Sequence, residues 1–114
     1  KVIDPTAILE RFDGDKEVLS EVVGLFLDEC PRLVSDVRLA VARRDAAALD
    51  RTAHTLKGSA SNFSPGAAAA AVTLEQMGRA GNLTDAEEAF TVLEEEISRL
   101  VPALAALVAE AVRA

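Results

Sequence analysis

LSEVVGLFLDECPRLVSDVRLA, residues 19–40, is the stretch on which the fold turns. Its apolar members Leu19, Val23, Phe26, Cys30, Leu33, Val37 and Ala40 recur at alternating steps of four and three, the spacing that keeps side chains on one face of an α-helix. The stripe predicts one long amphipathic helix from about Lys16 to Arg43, and because it stays in phase beyond Pro31 the proline should kink the helix without ending it. A helix with one greasy face needs others to cover that face, so the neighbouring sequence is read for further helices.

Upstream, Asp4-Pro5 reads as an N-cap carboxylate followed by proline at the first helical position, and Asp13-Gly14 as a stop. A short leading helix bearing Ile8, Leu9 and Phe12 lies between them. Downstream, Asp45 can cap a third helix with the apolar set Leu49, Ala53, Leu56, Ala60 and Phe63. Ser64-Pro65 repeats the cap-plus-proline signal and opens an alanine-rich fourth helix with Val72, Leu74 and Met77, stopping near Gly81-Asn82. Thr84 and Glu87 have the spacing of a capping box. The last helix then carries Ala86, Phe90, Leu93, Ile97, Leu100, Leu104, Leu107 and Ala111 on its stripe, with a kink expected at Pro102. With no alternating β pattern and no solenoid-length repeat, the expected fold is all-α, an up-and-down antiparallel four-helix bundle with a short leading N-terminal helix, one domain over residues 1–114.

Composition agrees and excludes several functions. Of 114 residues, 50% are hydrophobic and only 4% aromatic, so alanine supplies much of the apolar share and close helix packing is expected. A formal charge of −7 argues against nucleic acid, whose phosphates need clustered Lys and Arg. Cys30 is the only cysteine, so no intrachain disulfide can form and a reducing cytoplasm is the expected compartment. No apolar run reaches the ~20 residues of a bilayer span, and the start lacks a signal peptide's apolar stretch. The first residue is Lys1, which leaves open a trimmed end or a piece of a longer protein such as a membrane-attached sensor.

The only histidine, His54, lies on the third predicted helix. At about 100° per residue the five apolar residues of that helix cluster within about 80°, and His54 falls roughly 140° from their centre, which points it to solvent. Ala47, Asp50, Arg51, Gly58 and Ser61 share its face, with Lys57 at the edge. Glycine inside a helix costs about 1 kcal/mol relative to alanine and needs a reason. Gly58, one turn after His54, removes the side chain that would block a partner's approach to the ring. Lys57 can bring its ammonium near that ring and offset the charge of a phosphoryl group there. Imidazole is a nucleophile near neutral pH and a good temporary phosphoryl carrier.

The stretch Ala53-His54-Thr55-Leu56-Lys57-Gly58-Ser59-Ala60-Ser61-Asn62-Phe63 resembles the signature of histidine-containing phosphotransfer domains, and Leu74-Glu75-Gln76-Met77-Gly78-Arg79 resembles the family's second stretch on the next helix. The resemblance implies that His54 is the phosphorylated residue, supported by Lys57 and Gly58. It also implies that the surrounding face docks receiver domains of a hybrid kinase or response regulator. It implies a monomeric phosphocarrier with no nucleotide site or cofactor of its own, the magnesium ion residing in the partner receiver. Some members place a glutamine on the fourth helix near the phosphohistidine, and Gln76 is the matching residue; the plain alternative is a solvated surface glutamine. Two departures stand out: Ser64-Pro65-Gly66 replaces the family's earlier glycine after the hydrophobe, and the spacing to Leu74 is one residue short.

Other readings are weaker. One His and one Cys on different helices cannot make a zinc centre, which needs three or four convergent ligands. Cys30 is in phase with Phe26 and Leu33 and reads as core, not as a nucleophile. The run Glu94-Glu95-Glu96 reads as solvated helix surface, and the alanines from Ala67 to Ala71 as close helix packing. A kinase dimerisation hairpin would need two long helices, commonly an acidic residue directly after the histidine, and an ATP-binding domain; Thr55 follows His54 here. A bundle serving only protein interaction, with His54 incidental, remains the alternative class.

Overall fold

The structure, a computed structural model, describes residues 2–113. Five helices follow one another: α1 (Pro5–Arg11), α2 (Lys16–Ala42), α3 (Ala46–Ala60), α4 (Pro65–Ala80) and α5 (Ala86–Arg113). Each start has a local cause. The Asp4 side chain accepts from Ala7 N, Asp15 from Glu17 N and Val18 N, Asp45 from Ala48 N and Ser64 from Ala67 N, so at four N-termini a short polar side chain satisfies donors the helix cannot. At the other end of α4, Gly81 takes the left-handed conformation at φ 70°, where a Cβ is penalised.

α2 runs unbroken through Pro31, and α5 through Pro102. The helices pack in a ring: α3 lies between α2 and α4, and α5 closes the circuit between α4 and α2. Chain neighbours joined by short turns thus run side by side, in a body of 47 × 20 × 20 Å. Facing stripes fill the interior. Leu19, Val23 and Val37 of α2, Leu49, Ala53 and Leu56 of α3, Ala71 and Leu74 of α4, and Leu93, Leu100 and Leu104 of α5 are all buried. Burial of that kind, at about 25 cal/mol per Å² of apolar surface, is the main force holding the ring closed. α1 covers one end: Ile8 enters the core, and Phe12 stacks on Phe63 with centroids 6.5 Å apart, while Phe26 meets the same ring at 5.3 Å.

Two expectations about element ends are corrected. Phe63 keeps its buried place but lies in the turn after α3, which ends at Ala60. Thr84 forms no capping box with Glu87. Its hydroxyl and backbone N–H both donate to the Asn82 side-chain oxygen, and that local turn leaves α5 to begin at Ala86. The Asn82 turn competes for the hydroxyl the capping box needs.

Candidate functional site

α3 and α4 form the most closely packed pair in the bundle, and glycine makes the approach possible. A Cβ on Gly78 would stand 2.6 Å from Asp50 N and 2.7 Å from Ala46 O, distances no side chain occupies. The α4 backbone therefore rests directly on the first turns of α3. This contact fixes the rotation of α4 and turns Glu75, one turn earlier, toward His54.

His54 is exposed, its side chain 63% accessible, whereas the Glu75 side chain is 6% accessible. Nδ1 of His54 and Oε2 of Glu75 are 2.5 Å apart. The remaining polar contacts of Glu75 come from cations. Lys57 Nζ lies 3.3 Å from Oε1, and Arg79 Nη2 lies 3.1 Å from Oε2 and 3.4 Å from Asp50 Oδ1. The hydrogen bond from His54, with help from Lys57, holds the Glu75 carboxyl below its ordinary value even though burial pushes it upward. An ionised carboxylate only accepts hydrogen bonds, so the proton on the shared edge belongs to Nδ1. In the neutral form of the ring the lone pair is then on Nε2, the edge turned away from Glu75.

The residues expected around His54 are partly brought together. Ala47, Arg51, Gly58 and Ser61 are exposed and Asp50 is half-buried, as the phase of α3 requires. No atom lies within 4 Å of a Cβ placed on Gly58, so nothing inside the molecule demands glycine there. Arg51 turns toward α2, lining a shallow groove with Arg32 and Asp36. Lys57 is committed to Glu75, not suspended beside the ring. Gln76 is not the neighbour of His54. It lies about 100° further round α4 than Glu75, in a hollow shared with Thr73, Met77, Asp85 and Val92.

Glu75 and Arg79 were not singled out as site residues by sequence reasoning. The signal was present: Glu75 shares a face of α4 with Ala71 and Gly78, at helical steps of four and three. A carboxylate on a buried stripe is rarely there without a partner. Among the described residues no cluster of three or more His, Cys, Asp or Glu is placed to hold a metal ion, and no helix is long and apolar enough to cross a membrane.

No curated protein matches the chain. Two solved structures share its architecture. Histidine-containing phosphotransfer protein B from Pseudomonas aeruginosa PAO1 superposes with a TM-score of 0.86 at 21% identity over 95% of each chain. The HPT domain of an Hpt sensor hybrid histidine kinase from Shewanella gives 0.83 at 18% identity, covering 96% of this chain and 95% of that one. At such identities these two establish the fold. The family model for the Hpt domain matches residues 21–103, a span that holds both His54 and the Glu75 that contacts it, and the chain belongs to the Hpt domain family.

Proposed function

We propose that this Hpt domain is a phosphorelay intermediate of two-component signalling that carries the phosphoryl group on Nε2 of His54, taking it from the aspartyl phosphate of one receiver domain and yielding it to the aspartate of another. The observation that carries this reading is the pairing of an exposed His54 ring with a buried Glu75 carboxylate through Nδ1. In the forward step the Nε2 lone pair attacks phosphorus, the P–N bond forms, and the acyl-phosphate P–O bond breaks to release the receiver carboxylate. With its proton kept on Nδ1 by Glu75, the phosphorylated ring later departs as neutral imidazole, a far better leaving group than imidazolate. One carboxylate thereby serves both directions of transfer.

The domain contributes half of a reaction centre. Docking aligns the donor and acceptor atoms, and the cation that offsets charge on the transferring group comes from the receiver side. Lys57 supports the exchange by balancing Glu75, and Gly58 leaves the approach to the ring open. The exposed face bearing Ala47, Asp50, Arg51 and Ser61 receives the partner. On this reading the domain acts as a monomer, since no step described above calls on a second copy of the chain.

The test is incubation with a phosphorylated receiver domain. Wild type should gain an acid-labile, base-stable label that His54→Gln does not. A protein that binds the receiver without acquiring label is an interaction module, and label persisting in His54→Gln would place the acceptor elsewhere; either result overturns the reading.

A further inference from the structure

Glu75 is surrounded by more charge than orienting a ring requires. From α3 it faces His54 and Lys57, with Asp50 reaching it through Arg79. From its own helix it meets Arg79, one turn on. Arg51, the other charged residue near His54, stays on the same exposed face but lines a groove with Arg32 and Asp36 of α2. The two carboxylates, Glu75 and Asp50, and the two cations, Lys57 and Arg79, cancel in formal charge. With the four charges balanced, the Nδ1–Oε2 contact orients the ring within a cluster of no net formal charge. Remove one cation and the site becomes anionic, which favours the protonated ring, and a protonated ring has no lone pair with which to attack.

We infer that Arg79 is a positioning residue that keeps His54 nucleophilic in the neutral range by balancing Glu75, and that Asp50 opposes it. The inference rests on the reading of His54 as phosphoacceptor. Arg79 acts on the carboxylate at two levels. Its guanidinium holds the same oxygen, Oε2, that accepts from Nδ1, and its charge cancels what that oxygen would impose on the ring. Asp50 in turn anchors the guanidinium from α3 and withdraws part of its charge. Two variants at this site should therefore shift the reaction in opposite directions along pH, a behaviour that loss of packing does not produce.

The experiment uses potassium phosphoramidate as the donor, so no receiver is involved. The Nε2–P bond forms, the P–N bond of the donor breaks, ammonia leaves, and Nδ1 keeps its proton. Rates of acid-labile phosphorylation are followed by 31P NMR from pH 5.5 to 8.5 for wild type, Arg79→Ala, Arg79→Lys and Asp50→Asn, with helical content monitored by circular dichroism. The acid limb of the Arg79→Ala profile should move up by about half a pH unit, giving a roughly threefold slower rate near pH 5.5 that converges with wild type above pH 8. Arg79→Lys should restore most of the shift, and Asp50→Asn should move the limb the other way. Superimposable profiles, or both variants moving in the same direction, overturn the inference while leaving His54 as acceptor. A wild type that takes no phosphoryl group from either phosphoramidate or a receiver overturns both.

Discussion

Nδ1 of the exposed His54 on α3 lies 2.5 Å from Oε2 of the buried Glu75 on α4, and the geometry divides the ring into an edge owned by the protein and an edge offered to solvent. A carboxylate in that position selects one of two imidazole tautomers. Because the chain has only one histidine, the state of that ring can be read without ambiguity in solution.

Replacing the carboxylate by an amide tests this division of labour. Glu75→Gln keeps the size of the side chain and one acceptor oxygen, but it can also turn an NH2 group toward Nδ1, and it strips Lys57 and Arg79 of their shared counter-charge. Loss of the carboxylate that orients a metal-bound histidine costs about 10–100-fold, and a drop of that order is the expected effect here on the rate of phosphoryl acceptance. In 15N NMR of the His54 ring, the Nδ1–H form should give way to a mixture. An unchanged tautomer ratio would show that Glu75 does not select it.

The same carboxylate contributes a pH dependence to stability. In the folded protein its hydrogen bond from His54, aided by Lys57, lowers its affinity for protons below the ordinary value of 4.5. A depressed folded-state value means that the unfolded chain binds more protons as pH falls past 4.5, so the contribution is complete above that pH and is lost below it. Chemical denaturation of wild type and Glu75→Gln between pH 3 and 7 should show the variant less stable at neutral pH, with the gap narrowing on the acid side. A gap that stays constant across this range would remove Glu75 from the account.

Most of the scaffold could be read in the sequence because helical periodicity is a property of one segment at a time. The stripe through Leu19, Val37 and Ala40 and the outward phase of His54 needed only the 3.6-residue repeat. What escaped depends on two segments at once. Glu75 and Gln76 are adjacent, and which of them meets His54 is decided by the rotation of α4 against α3, which is set by the close backbone approach at Gly78. A family likeness pointed to Gln76 because other members use glutamine, whereas here the residue before it occupies the place. Phe63 and Thr84 were misread for the same kind of reason: each obeys helical spacing, yet a turn captures it.

Gly78 therefore carries a sharper expectation than its neighbours. In Gly78→Ala the new methyl would press on the α3 backbone at Asp50 and Ala46, and neither helix can yield without parting from the other. Overpacking of this sort costs about 1–3 kcal/mol. Thermal unfolding should show that loss, and the separation should also draw Glu75 back from His54, slowing phosphorylation by phosphoramidate. Unchanged stability would mean that the two helices are free to slide apart.

Gly58 poses the opposite case and separates docking from chemistry. The space around it is open, so Gly58→Ala should raise helix stability by about 0.5–1 kcal/mol through reduced backbone entropy of the unfolded chain. Gly58→Glu should likewise fold, but it places a long acidic side chain one turn from the ring, on the surface a receiver must cover. Transfer from a phosphorylated receiver should fall at least tenfold, whereas phosphoramidate, a small donor needing no docking surface, should at pH 8 phosphorylate His54 within about twofold of the wild-type rate. Equal loss with both donors would mean that the substitution damages the imidazole itself. Full activity with the receiver would show that access over Gly58 is not what the glycine secures.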